Sequence, residues 1–316
     1  MLAAACLGVA SLASLAPLPA HAGAPMVKTQ APGYYRVMLG DFEITVLSDG
    51  SNPLAATRLL QGDASRITAG LRRHFLGDII ETAHNGFLIN TGSKLVLIDP
   101  GAGTMLGRST GDLVANLRAA GYRPEQVDEI LITHMHTDHV GGLVADGRRA
   151  FPNAVVRIEK RDVDYWLSAS NLAAAPEPAK RFFRAAADAV APYLQAGKLV
   201  VFDGDTELLP GVRARSAYGH TPGHVMYLLE SKGEKLLVWG DIVHVAAVQM
   251  AAPLVTIGYD VDPDAAARER LRVFADAAKN GTLVAGAHLP FPGIGHVRRQ
   301  GDNAYAFVPL NDAALK

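Results

Sequence analysis

Between positions 134 and 139 the segment "THMHTDHVGG" carries His134, His136, Asp138 and His139. Imidazoles crowded this closely repel one another when protonated and are costly to bury without partners. The spacing therefore asks for something that holds them neutral, and a divalent cation does that. Zinc takes about four N and O donors, and an open catalytic site keeps one position for water. Three further donors follow the ends of expected strands: His220 in "YGHTPGH", Asp241 after "LLVWG" and His288 after "LVAGA". Five imidazoles and two carboxylates exceed the needs of one ion and suit two, with a carboxylate between them. Two cations about 3.5–4 Å apart share a hydroxide near neutral pH and polarise the bond it attacks. The chemistry expected of this donor set is hydrolysis.

Short strands must deliver these groups. "EILIT" (129–133) is an apolar β run leading into His134 and His136, which project to one side of an extended segment. Gly141 and Gly142 then let the chain turn back closely. Two short strands are expected around Gly40-Asp41, closed by Asp49-Gly50, and a hairpin around Gly92-Ser93. Further strands are expected at "NAVVRIE", 199–202, 212–216, 225–230, 235–239 and 282–287. Helical patterns fall at 64–77, 110–120, 161–168, 177–193 and 264–278. Strand-rich halves with interspersed helices imply sheets covered by helices, an α/β or α+β fold. No polar linker divides residues 23–316, so one domain is expected.

The 316 residues are 49% hydrophobic, with 30 basic and 31 acidic side chains and a net charge of −1. Nucleic acid and anionic membranes both call for a basic excess, so neither is expected as a partner. Residues 1–22 are uncharged and apolar and end on Ala20-His21-Ala22. They read as a secretory leader cleaved after Ala22 and truncated at its start, because no basic n-region precedes the run. Export is expected, to the periplasm. The run is too short, and too interrupted by Pro17 and Pro19, for a membrane anchor. Cys6, the one cysteine, lies in this leader. The mature chain then has no disulfide, thiolate ligand or cysteine nucleophile.

"THMHTDHVGG" resembles the His-x-His-x-Asp-His motif of the metallo-β-lactamase superfamily, and His220, Asp241 and His288 match its remaining ligands in order. "APGYYRVMLGDFEIT", "NTGSKLVLID", "QVDEILITHMH", "GHTPGH" and "FPGIGH" extend the resemblance over nearly all of the mature chain. They point to the branch of methyl parathion hydrolase and its lactonase-like relatives. The resemblance implies an αββα sandwich, two mixed sheets flanked by helices, with the site on one edge. It implies one ion at His134, His136 and His220 and another at Asp138, His139 and His288, with Asp241 between them. Zinc is the expected metal, although the same donors accept Mn, Fe or Co according to supply. A homodimer is also implied. Asp99, ending "LVLID", resembles an earlier Asp motif that orients the site through hydrogen bonds; a turn cap before Pro100 fits equally well.

The candidate catalytic residues are Asp138, Asp241 and His244. His244 stands where quorum-quenching lactonases of this superfamily carry a Tyr that polarises the carbonyl or protonates the leaving oxygen. Histidine can do either, or can simply line the wall. Trp166, Phe182 and Tyr259 resemble pocket-wall residues, with Phe182 favoured over Phe183. His74, His84, His224 and His296 are expected to be structural. The reading that results is an exported binuclear hydrolase of small, apolar lactones or aryl esters, with phosphotriesters as side substrates. A dedicated organophosphate hydrolase is the alternative, and a secreted zinc-binding protein without turnover is the non-enzyme one. A common β-lactamase would carry Cys in place of Asp241, and no basic cluster supplies the glutathione cradle of a glyoxalase II thioesterase.

Overall fold

Ile44 and Val46 point one way along their strand and Thr45 and Leu47 the other, yet all four are buried. A strand buried on both faces must lie in a sheet covered on both sides. The computed structural model describes residues 23–311 and shows what covers it. The first sheet runs in chain order through β1 (Tyr34–Leu39), β2 (Phe42–Ala55), β3 (Ile79–Asn90), β4 (Leu95–Ile98), β5 (Glu129–Leu131), β6 (Val155–Glu159) and β7 (Leu199–Phe202). Strands β1 to β4 pair antiparallel, and β4 to β7 pair parallel. The second sheet runs through β8 (Thr206–Leu209), β9 (Val212–Ser216), β10 (Val225–Ser231), β11 (Glu234–Val238), β12 (Leu283–Ala285), β13 (Ile294–Gly301) and β14 (Ala304–Pro309). Only its β11–β12 pair is parallel.

The helices that matter for the layers are α1 (Ala64–Arg73), α2 (Leu113–Ala119), α3 (Lys160–Trp166), α4 (Glu177–Gln195) and α5 (Pro263–Asn280). Ile44, Val46, Phe87, Ile89, Val96 and Ile98 of the first sheet meet Val225, Tyr227, Leu229, Val238 and Ala285 of the second. The other face of the first sheet packs Leu47, Leu88, Leu97 and Ile130 on Leu113, Leu117, Phe183, Ala186 and Val190 of α2 and α4. Met226 and Val284 on the outer face of the second sheet meet Val273, Phe274 and Ala277 of α5. Each such large side chain contributes about 1.5–3 kcal/mol on burial. The result is the αββα sandwich expected from the sequence. Helix α5 is also locally specified: Asp262 caps it by accepting from the Ala265 amide (3.0 Å), Pro263 opens it, and Gly281 ends it at φ 63°.

Register brings the chemistry to one edge. Val238 lies beside both Tyr227 and Ala285. His224, three residues before Tyr227, and Asp241 and His288, three residues after Val238 and Ala285, therefore lie together at one end of the second sheet. Thr133, just past β5, accepts a hydrogen bond from the Val225 amide (2.9 Å), which ties the two sheets at this edge.

The structure departs from the sequence expectations in several places. Asp49-Gly50 does not close a turn: β2 runs on through it with a bulge between Ser48 and Gly50. The Asp49 carboxylate is buried, accepting from the amides of Ala102 (2.8 Å) and Leu113 (3.1 Å). Strands β8, β13 and β14 are additional to those expected. The leader reading, residues 1–22, lies outside the described residues. The chain divides after Ala31; Gly23–Ala31 carry no helix or strand, and the unit holding both sheets begins at Pro32. Among the described residues, no helix is long and apolar enough to cross a membrane.

Candidate metal centre

Two groups of donors form at the sandwich edge, His134, His136, His220 and Asp241 in one and Asp138, His139, Asp241 and His288 in the other. Within each group the donor atoms lie within 4.8 Å of one another. Asp241 is common to both. Its Oδ1 is 3.2 Å from His139 Nε2, and its Oδ2 is 3.2 Å from His220 Nε2, 3.2 Å from His288 Nε2 and 3.6 Å from His134 Nε2. Asp138 Oδ2 stands 3.3 Å from His288 Nε2 and 3.5 Å from His139 Nε2. The motif delivers its donors by changing conformation. His136 is still extended, and a single helical turn, Thr137–Val140, then swings Asp138 and His139 round. The chain closes behind them only because Gly142 has no Cβ, which would lie 2.0 Å from the Pro100 carbonyl oxygen.

Partners on the far side of each ring decide which nitrogen faces the centre. His139 Nδ1 donates to Asp99 Oδ2 (2.8 Å), His220 Nδ1 to Asp260 Oδ1 (2.7 Å) and His288 Nδ1 to the Ala83 carbonyl (2.9 Å). Their Nε2 atoms are left for the centre, the arrangement by which outer partners fix ligand tautomers. Asp99 is itself locked, accepting from the Thr133 amide (2.8 Å) and hydroxyl (2.7 Å). His224 is a structural hydrogen bonder: Nδ1 donates to the Ala217 carbonyl and Nε2 accepts from the Asp241 amide, both at 3.0 Å. Burial, and then the charge of His220, push it down to about 3, so it stays neutral.

Residues 79–303 match the metallo-beta-lactamase superfamily. The chain belongs to that superfamily. A crystal structure of the hydrolase AbOPH, described as in the beta lactamase superfamily, matches with a TM-score of 0.86 at 37% identity, over 90% of this chain and 100% of that one. AidC, a dizinc quorum-quenching lactonase solved with a product bound, matches at 0.81 and 28% identity, over 89% of this chain and 99% of that one. An N-acyl homoserine lactonase of Bacillus cereus is 25% identical over 170 residues, 51% of this chain and 60% of that protein. That match thus spans less than two thirds of the relative's own length.

The donors of this superfamily member suit divalent ions on their own evidence. His134 Nε2, His139 Nε2 and Asp241 Oδ1 are buried and make no hydrogen bond. His220 Nε2 and His136 Nδ1 stand 3.0 Å apart, which two lone pairs do not tolerate without a cation or proton between them. In the metal-free chain protons do that work. Burial opposes a charge on His220 and His288, but Asp241 with Asp260, and Asp241 with Asp138, raise them to about 9 and about 10. His139 is raised as well, burial being outweighed by Asp241, Asp138 and Asp99. Burial, then neighbouring imidazoles, push His134 and His136 well below the usual range. Burial would raise Asp138 and Asp241, but the surrounding histidines, His139 first, hold both far below it.

Around the centre, His244 Nε2 is 3.0 Å from Asp241 Oδ2, and its ring stacks on His288 with centroids 5.2 Å apart. Trp166 and Phe182 flank His136 at 5.2 and 6.1 Å, and Tyr259 stands 6.4 Å from His244. Phe183 instead turns into the core and packs on Trp166. His74 and His296 are exposed. His84 belongs to neither donor group, and its Nε2 bonds Asn52 Oδ1 at 2.6 Å. It is buried with Nδ1 3.4 Å from Asp138 Oδ2, and its ring meets His288 edge-on at 5.2 Å. Asp260 and Asp162 are also at the site without having been anticipated, because nothing in their spacing marks a carboxylate that contacts a ligand only after folding.

Proposed function

We propose that the chain is a binuclear metal-dependent hydrolase of small, apolar lactones and aryl esters. The observation that carries this is the pair of donor groups sharing Asp241, with buried lone pairs aimed into one space. His134, His136 and His220 would hold one ion, and Asp138, His139 and His288 the other, with Asp241 between them. Zinc is favoured by the N/O donor set and by the dizinc relative at 28% identity. Such ions lower the pKa of water towards neutrality and polarise a scissile carbonyl.

The protein's own residues supply the rest. Asp138 and Asp241 stay ionised across the working range and set the charge of the centre. Burial pushes His244 down to about 4 even with Asp241 beside it, so it is a neutral imidazole at pH 7. As such it offers an N–H to the substrate carbonyl or leaving oxygen rather than a full positive charge. Its Nε2 lies 3.0 Å from Asp241 Oδ2, and its Nδ1 makes no hydrogen bond and is the nitrogen left for that contact. Trp166, Phe182 and Tyr259 form aromatic walls that seat an apolar acyl or aryl group. The relatives named as lactonases support lactones as the main substrates, and we place phosphotriesters as side substrates. Export after cleavage at Ala22, a periplasmic location and a homodimer belong to this proposal as well.

The experiment compares kcat/KM for an acyl homoserine lactone, an aryl acetate and a dialkyl aryl phosphotriester on the metal-loaded protein. The lactone or aryl ester should lead. A leading phosphotriester would favour the organophosphate hydrolase, and two bound metals without turnover on any of the three would favour a zinc-binding protein.

A further inference from the structure

Asp162, on α3, is fully buried, and each of its carboxylate oxygens accepts a backbone hydrogen bond. Oδ2 takes the Met135 amide and Oδ1 takes the Gly223 amide, both at 2.7 Å. Met135 lies between His134 and His136, and Gly223 lies in the loop that begins at His220. One side chain thus fastens the backbone of three donors of the same group, from loops 84 residues apart at His136 and His220. The seating is close: a Cβ on Gly223 would lie 2.3 Å from the Asp162 amide nitrogen and 2.4 Å from Glu159 Oε2. Burial raises Asp162 to about 6, so above that pH both amides bond an ionised acceptor, roughly twice as strongly as a neutral one. The other group is held by different elements. Asp99, after β4, orients His139, and the Ala83 carbonyl of β3 orients His288.

We propose that Asp162 is a positioning residue that assembles the His134–His136–His220 site and leaves the Asp138–His139–His288 site to its own supports. The inference rests on the binuclear reading above. Asp162→Asn keeps volume and one acceptor, but its amide NH₂ would face one of the two backbone N–H groups, so one bond is lost.

The test is zinc binding to the purified, metal-stripped full chain, read by competition with a chromophoric chelator. The wild type is measured first, and fewer than two ions there would overturn the binuclear reading itself. With two ions in the wild type, D162N should weaken one of them by about 10- to 100-fold, the usual cost of removing a ligand's outer support. The other ion should be unchanged. Double variants assign the affected site. D162N should have no further effect on the ion retained by H136A and should weaken the ion retained by H288A. Unchanged affinities, equal losses at both ions, or weakening of the ion retained by H136A would each overturn the proposal. Should D162N fail to fold, amide hydrogen exchange of the wild-type chain decides. The Met135 and Gly223 amides share one acceptor side chain and should be protected together. Rapid exchange at either one alone contradicts the proposal.

Discussion

Asp99 Oδ2 accepts a hydrogen bond from His139 Nδ1 at 2.8 Å, while the other nitrogen of that ring faces Asp241 at 3.2 Å. One carboxylate thus selects the tautomer, and the second shares the centre. Asp99→Asn should weaken zinc binding by about 10- to 100-fold at one ion. Chelator competition measures this, and wild-type affinity would reduce Asp99 to a turn cap before Pro100.

His244 is predicted to matter for turnover and not for metal. His244→Ala removes one N–H donor next to Asp241 and should lower lactone kcat by about 10²-fold. Zinc content by mass spectrometry should stay at the wild-type value. Unchanged turnover would make His244 a wall residue.

Adjacent phenylalanines should behave oppositely. Phe183 is buried in the core, and Phe183→Ala should cost about 3–5 kcal/mol of stability by chemical denaturation. Phe182 faces His136, so Phe182→Ala should instead raise KM for apolar substrates roughly tenfold. Swapped phenotypes would place the pocket wall at Phe183.

The pH dependence of the metal-free chain has a definite sign. His220 and His288 rise on folding from 6.5 to about 9 and about 10. Their stabilisation is complete below pH 6.5 and is lost as the pH climbs through those values. The Tm of the metal-free protein should therefore fall between pH 7 and 10. Zinc affinity should rise over the same window, because the ions need those nitrogens unprotonated. Calorimetry in buffers of different ionisation enthalpy should record release of about three protons at pH 7, from His139, His220 and His288. Uptake without proton release would contradict this.

How much of this was legible depended on whether the signal was local. The His134–His139 cluster and the strand before it are contiguous, and His220, Asp241 and His288 each follow an expected strand, so motif spacing and the superfamily resemblance expose all seven. Asp260, Asp162 and His84 gain their meaning only from contacts made by distant loops. Their immediate neighbours read as ordinary helix or loop. The bulge at Ser48–Gly50 was hidden for a similar reason: Asp-Gly is a turn signal, and here the buried bonds from Ala102 and Leu113 to Asp49 overrule it. Strands β13 and β14 were masked by the polar run "RRQGDN", whose residues are largely exposed.

On the proposed reading, the seven donors hold two divalent ions on which hydrolysis depends. The most direct measurement is lactone turnover during stepwise zinc addition to the chelator-stripped chain, with bound metal counted in parallel. No turnover is expected without metal, and full turnover is expected as the second equivalent binds. Turnover that persists in the stripped chain, or saturation at a single ion, would contradict it.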